Sequence, residues 1–214
     1  MINIYHEDCL VAMKDMEDNK YDLAIVDPPY GIGISSNPVR QKQVKKDWDN
    51  EIPSQEYFDE LFRVSKNQII WGGNYFPLPP TQGFLIWDKK QPENFSLAMC
   101  EYAWMSMQTP AKIFRYSVHS GGDKSHPTQK PEGLYRWVIK KYAKKGDYIL
   151  DTHLGSGTIG NAVDAMNYGF GMELSFDGYE IDKGYFDNAY NRIFNTKAPI
   201  ERVEGGDPNQ IKFI

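Results

Sequence analysis

The chain has 214 residues, enough for one domain with a sizeable core, and 41% of them are hydrophobic. Its 24 Lys and Arg against 29 Asp and Glu give a net charge of −5, which excludes a uniformly basic nucleic-acid coat. No apolar run reaches the roughly 18 residues of a membrane span, and the start MINIYHEDCL lacks a basic-then-apolar secretion signal. Two cysteines, Cys9 and Cys100, make neither a disulfide framework nor a zinc set. A reducing cytoplasm is therefore expected, with no membrane and no metal.

Charge is spread unevenly. Residues 112–145 hold nine basic and two acidic residues, net +7, between two flanks of net −6 each. A smaller basic cluster is Arg40, Lys42, Lys45 and Lys46. Such runs are ordinarily solvated surface, but on an acidic protein they also make a phosphate-tracking face.

In chain order, apolar runs alternate with helical patterns, which predicts an α/β domain. Residues 22–27 (DLAIVD) read as a buried strand stopped by Pro28-Pro29. Residues 35–50 are too polar and too long for a simple turn and read as a loop. Ser54 to Val64 reads as a helix with Ser54 as N-cap. Strands are expected at 68–71, 84–87, 98–105 and 111–116. Pro131 to Ala143 reads as an amphipathic helix with Leu134, Val138 and Tyr142 on one stripe. A strand at 148–151, a helix at 158–166, a strand at 176–182 and a helix at 184–194 complete the pattern, followed by a polar tail.

Two segments carry chemistry. In the first, Asp151 ends a strand before a turn with Gly155 and Gly157, and a helix follows. Glycine permits positive φ and close approach to a ligand, and the helix offers unpaired N–H groups. The turn lacks the three regular glycines of a dinucleotide fingerprint and the Gly-Lys of a P-loop. Asp151 would repel phosphate and favour the cationic end of an amino acid. Glu180 and Asp182 close the next strand, where an acid accepts from ribose hydroxyls. A ligand with a ribose, an amino-acid end and no phosphate fits, and S-adenosylmethionine is such a ligand. The plain alternative is an ordinary glycine-rich turn.

In the second, Asp27-Pro28-Pro29-Tyr30 stands at a strand end. Two prolines stiffen the turn and leave its carbonyls free to accept. A carboxylate and a fixed carbonyl together hold both hydrogens of an exocyclic amino group, and Tyr30 offers a flat face to a base. The plain alternative is a strand stop with Tyr30 in the core.

These segments resemble the amino-DNA methyltransferases that modify N6 of adenine or N4 of cytosine, in the beta order with the catalytic half first. Asp27 to Tyr30 matches the catalytic motif, and Asp151-Thr-His-Leu-Gly-Ser-Gly-Thr158 the cofactor loop, with Thr152 and His153 where Pro and Phe are usual. His126-Pro-Thr-Gln-Lys-Pro131 and His6-Glu-Asp-Cys-Leu10 match two further family segments. Trp71 to Phe76 resembles a turn of short phage-type members.

The resemblance implies a Rossmann-like, circularly permuted α/β fold. Its mixed, mostly parallel seven-stranded sheet would carry helices on both faces. It implies a single methyltransferase domain: a catalytic half at 1–105, a reduced target-recognition segment at 106–125, a cofactor half at 126–196 and a tail at 197–214. The catalytic residues would be Asp27, Pro28, Pro29 and Tyr30. S-adenosylmethionine would be held by Asp8, Cys9, His126, Thr128, Lys130, Asp151, His153, Gly155, Ser156, Gly157, Thr158 and Glu180. Cys100 would be a core thiol. Arg40, Lys42, Lys45, Lys46, Lys112, Arg115 and Lys124 would hold double-stranded DNA with its target base flipped out.

Asp rather than Ser at position 27 leans towards N6 of adenine in a restriction-modification setting. Cytosine N4, an RNA base and a catalytically silent binding protein are the alternatives, and a homodimer is compatible with all of them.

Overall fold

The computed structural model describes residues 1–33, 51–94, 98–117 and 129–195. Its strands are β1 (Ile2–His6), β2 (Leu23–Val26), β3 (Gln68–Trp71), β4 (Phe84–Asp88), β5 (Cys100–Met105), β6 (Lys112–Arg115), β7 (Tyr148–Asp151) and β8 (Ser175–Glu180). The helices are α1 (Cys9–Lys14), α2 (Gln55–Val64), α3 (Glu132–Tyr142), α4 (Thr158–Phe170) and α5 (Lys183–Tyr190).

Every residue of β2 and β3 is buried, as continuous apolar strands covered on both faces require. The sheet order is β1-β8-β7-β2-β3-β5-β4-β6. Among these strands β5 alone runs against the rest, pairing antiparallel with β3 and β4.

The count is eight strands, not the seven expected. The strand that local pattern did not disclose is β1. It is an edge strand with no fully buried residue, defined only by its long-range pairing with β8.

Alternation along each strand divides the core. Leu23, Ile25, Ile69, Ile149 and Phe176 pack with Leu134, Val138, Val163 and Met166 of α3 and α4. Ala24, Val26, Ile70 and Leu150 pack on the other face with Met13 of α1 and Tyr57, Phe58 and Leu61 of α2. Crossovers towards β1 thus carry helices on one face, and those towards β6 on the other, as one fixed handedness demands.

Local signals explain the helix ends. Ser54 Oγ accepts from the Tyr57 N–H at 3.3 Å, the expected cap of α2. Helix α3 starts after Pro131 and buries Leu134, Tyr135, Val138 and Ile139. Helix α4 runs four residues past the expected end and stops at Gly171, whose φ is +60°. The last helix is shorter than expected, closing at Tyr190 into a π turn over Asn191–Asn195. The short α1 was not expected, and Asp8 caps it by accepting from the Leu10 N–H at 2.8 Å. Cys100 is exposed at the start of β5 rather than a core thiol. No described helix is long and apolar enough to cross a membrane.

One buried carboxylate ties four parts of the chain together. Asp177 in β8 is 1% exposed and accepts from Tyr21 Oη at 2.8 Å, Tyr148 Oη at 2.7 Å and Asn3 Nδ2 at 3.0 Å, with Lys20 Nζ at 3.4 Å. Removing it leaves these donors unsatisfied, and that loss is the expensive part of a broken buried pair. Asp177→Ala is expected to lower unfolding free energy by about 3 kcal/mol in urea titration. A loss below about 1 kcal/mol would show that the donors find other partners.

Candidate active site

Strands β7 and β8 wind towards one sheet edge, and β2 and β3 towards the other. Between β7 and β2 the connections part, and in open α/β sheets the crevice at the carboxyl ends of such strands takes ligands. Pairing of Ala24 with Leu150 brings Asp27 and Asp151 to the same end of that crevice. Pairing of His6 with Glu180, and of Asp151 with Gly178, brings Asp8 and Glu180 to it as well. Four carboxylates far apart in sequence therefore share one edge.

On the β2 side, Pro28 is buried while Asp27, Pro29 and Tyr30 are half-buried. Tyr30 Oη donates to Asp27 Oδ1 at 2.6 Å. Burial pushes the Tyr30 phenol well above its ordinary range, and Asp27 and Glu101 push the same way, so it stays a donor. The ring stacks on Tyr75 with centroids 5.0 Å apart and planes 14° from parallel. Its edge passes so close to Gly72 that a methyl group there would sit 2.2 Å from Tyr30 Cε1. Gly72 also has φ +72°, so side chain and backbone both require glycine. Tyr30 is thus neither plain core nor an isolated platform.

Lys130 Nζ donates to Asp27 Oδ2, 103 residues away in sequence. The resemblance implied a cofactor contact for Lys130, but the structure seats its ammonium on the catalytic-motif carboxylate. Its side chain is 2% exposed, and Nζ also lies 3.1 Å from Glu101 Oε2. Lys89 Nζ meets the other Glu101 oxygen at 2.7 Å.

On the β7 side, the Gly155 N–H donates to Glu180 Oε2 at 2.8 Å and the Asp182 N–H to Glu180 Oε1 at 2.8 Å. Asp182 itself caps α5, accepting from the Tyr185 N–H at 3.0 Å. Gly155 (φ +51°) has open space where a Cβ would be, its nearest neighbour being His153 O at 3.8 Å. Gly157 (φ +71°) differs, because a Cβ there would press on Ala189 and Ile193 at 3.0–3.2 Å. One glycine faces the crevice, and the other serves helix packing. Ser156 Oγ and Thr158 Oγ1 are 2.8 Å apart.

Asp151 is 4% exposed. Burial pushes its carboxyl up to about 8, Asp27 and Glu180 adding to this and the His153 N–H opposing it. His153 carries the reverse effect. Burial pushes its imidazole down to about 4 against the pull of Asp8, so it is neutral. Its Nδ1 lies 2.9 Å from Thr152 Oγ1, which is 2.7 Å from Tyr57 Oη. The departures at Thr152 and His153 therefore form one hydrogen-bonded chain with α2. Burial also pushes the Cys9 thiol up to about 12, with Asp8 adding, which removes it as a nucleophile at neutral pH.

The donor set suits S-adenosylmethionine. Carboxylates match a sulfonium, an ammonium and ribose hydroxyls, and the open side of Gly155 admits a ligand where no lysine or arginine of the loop waits for phosphate. Among the described residues no group of His, Cys, Asp and Glu is placed to hold a metal ion.

The basic run does not form one face. Because β6 runs parallel to β4, Arg115 lies at the carboxyl edge and Lys112 at the opposite one. Helix α3 carries the chain away from the crevice by about 16 Å, so Lys140 to Lys145 lie at the amino edge. There Lys145 pairs with Glu173 at 2.8 Å. Arg40, Lys42, Lys45, Lys46, Lys124, His126, Thr128 and the tail at 197–214 lie outside the described residues.

Sequence reading missed Glu101, Lys89, Tyr57 and Tyr75. Glu101 had one available signal, a carboxylate within an otherwise apolar strand. Lys89 and Tyr75 depend on pairing between β4, β5 and the turn after β3, and Tyr57 on the packing of α2 against the turn after β7, which local pattern does not encode.

Known proteins share this fold. The solved complex of M1.HpyAVI with SAM covers 90% of this chain and 100% of its own at a TM-score of 0.61 and 22% identity. The cytosine-N4-specific PvuII DNA methyltransferase covers 92% of this chain and 88% of its own at 0.61 and 14% identity. The type II methyltransferase M2.MboI of Moraxella bovis is 29% identical over 81% of this chain and 84% of its own length. M.HpaI of Haemophilus parainfluenzae is 24% identical over 89% and 76%. A profile of the N6/N4 family described as DNA methylase matches residues 70–191, more than half the chain. The chain belongs to the DNA methylase family.

Proposed function

We propose that this DNA methyltransferase transfers a methyl group to N6 of adenine, with Asp27 and the Pro28 carbonyl accepting the two hydrogens of the target amino group. The observation that carries this reading is the meeting of Asp27 and Tyr30 with the Gly155 turn across the β7–β2 crevice. S-adenosylmethionine is the methyl donor and supplies an electrophilic methyl on a sulfonium. Asp8, Cys9, Asp151, His153, Gly155, Ser156, Gly157, Thr158 and Glu180 are the described residues that would hold it. Between Glu180, which ends β8, and Asp182, which follows it, Glu180 suits the ribose better, because its carboxylate braces Gly155 while Asp182 is committed to capping α5.

An adenine amino group is a weak nucleophile, because its lone pair is spread into the ring. Two acceptors at the turn favour a more tetrahedral nitrogen and are in place before reaction. The lone pair would form the new N–C bond as the methyl carbon–sulfur bond of the donor breaks, its electron pair going to sulfur to leave a neutral thioether, and one of the two amino protons would be shed to water. The base reaches this turn only when flipped from the duplex. One face of Tyr30 is covered by Tyr75. Arg115 stands on the crevice side of the sheet and is the described residue of the basic set best placed to hold a phosphate.

Digestion of methylated DNA to nucleosides is expected to return N6-methyladenine, and N4-methylcytosine would overturn the base assignment. Asp27→Ala is expected to abolish transfer and leave cofactor affinity within about twofold, measured by radiolabel transfer and calorimetry. Residual activity above a tenth of wild type would remove Asp27 from its role.

Asp151 gives a pH prediction. Its carboxyl keeps a proton in the fold up to about pH 8, whereas the unfolded chain loses it near pH 4. The unfolded state then binds fewer protons, so this group's contribution to stability falls as pH rises from about 4 to about 8. Asp151→Asn is expected to melt higher than wild type at pH 8, with no difference near pH 4. Above about pH 8, where the wild-type carboxyl is ionised, the same variant is expected to bind S-adenosylmethionine at least about tenfold more weakly, because a cationic ligand end meets no charge there. Equal affinity would exclude Asp151 as a cofactor contact.

A further inference from the structure

The crevice holds buried charges that the methyl-transfer reading leaves unused. An ammonium has three protons, and Lys130 Nζ has three acceptors: Asp27 Oδ2, Glu101 Oε2 at 3.1 Å and Tyr30 Oη at 3.2 Å. The two oxygens of Glu101 are divided between Lys130 and Lys89. Aromatic rings enclose the head group, with the Trp71 centroid 5.3 Å and the Tyr30 centroid 5.8 Å from Nζ.

Burial pushes Lys130 down, but Asp27 and Glu101 outweigh it and hold the ammonium above its ordinary range. Burial likewise pushes Glu101 up, and the two lysines more than reverse it. Both groups are therefore charged. A desolvated ion network of this kind gains little over apolar packing of the same volume, so stability alone is a weak reason for it.

We propose that Lys130, fixed by Glu101 and Lys89, is a positioning residue for the catalytic carboxylate. It sets the rotamer of Asp27 and thus the direction from which its remaining lone pairs meet the target amino group. Tyr30 completes the clamp from Oδ1, so each carboxylate oxygen has one side-chain donor among the described residues. A carboxylate clamped before the base arrives needs no reorganisation during transfer. Glu101 makes no contact with Asp27 and acts through Lys130. This inference rests on the functional reading above.

The test compares wild type, Lys130→Gln, Glu101→Gln and the double variant as full chains, with kcat counted per site that binds S-adenosylmethionine. Expected is a fall of about 10²-fold in kcat for Lys130→Gln and about tenfold for Glu101→Gln. The double variant should be no worse than Lys130→Gln, since both act on one unit. Cofactor affinity should stay within about twofold, a split that a merely structural role would not produce. Unchanged kcat in Lys130→Gln overturns the inference while leaving the functional reading intact. Parallel loss of cofactor affinity also overturns it and returns Lys130 to the cofactor. Should Lys130→Gln not fold, Glu101→Gln decides alone, because it keeps the lysine, and an unchanged kcat overturns the inference. A second readout is free of activity. In ¹⁵N-lysine-labelled protein the Lys130 ammonium should give a slowly exchanging signal that Glu101→Gln abolishes, and its absence from wild type overturns the inference. A wild type without methyl transfer overturns the functional reading and this inference together.

Discussion

The change of winding direction between β7 and β2 is the constraint on which the site depends. Fixed crossover handedness puts α4, which follows β7, on one face and α2, which follows β2, on the other, so the chain leaves the carboxyl ends of the two central strands in opposite directions. The crevice that results is bounded by strand ends, which are rigid because both faces of the strands are packed. Backbone register brings Asp27 and Asp151 to that edge, and hydrogen bonds from Tyr30, Lys130 and the His153 N–H then orient their carboxylates. Placement at the site is thus a property of the sheet, and the local contacts set direction.

Crowding carboxylates at one edge has an electrostatic cost, and the structure meets it differently on the two sides. On the β2 side the charges are compensated within the protein, by Lys130, Lys89 and the phenol of Tyr30. On the β7 side Asp151 has a backbone N–H and, among the described residues, no ion pair, Lys130 acting on it only weakly, and burial pushes its carboxyl up to about 8. One side is complete without ligand, while the other improves when a cationic ligand arrives. Such asymmetry suits a methyltransferase, whose donor is a cation and whose acceptor base is neutral.

Much of this was legible before any coordinates, for identifiable reasons. The stop after Asp27 and the turn after Asp151 are local signals, because proline and glycine act on the residues beside them. The α3 stripe and the Ser54 cap are local as well. What local reading could not reach was adjacency. Lys130 belongs in sequence to the expected cofactor half, yet the chain turns at Pro131 and leaves it on Asp27. The run of nine basic residues is contiguous in sequence, yet α3 carries its end to the far edge of the sheet. The edge strand β1 has no buried stripe to announce it, and Glu101 becomes meaningful only once β5 lies between β3 and β4.

The two glycines of the cofactor turn have a consequence for how the site can be altered from a distance. Gly157 lies against Ala189 of α5 and Ile193 of the π turn, so closely that a methyl group on it would press on them at 3.0–3.2 Å. The far side of that contact is an ordinary helix surface, outside the crevice and without chemistry of its own. A larger side chain at Ala189 would push on the turn that Glu180 braces, leaving every crevice residue unchanged. That contact is a built-in lever, through which sequence drift or an engineered ligand on α5 would tune cofactor affinity without touching the catalytic half.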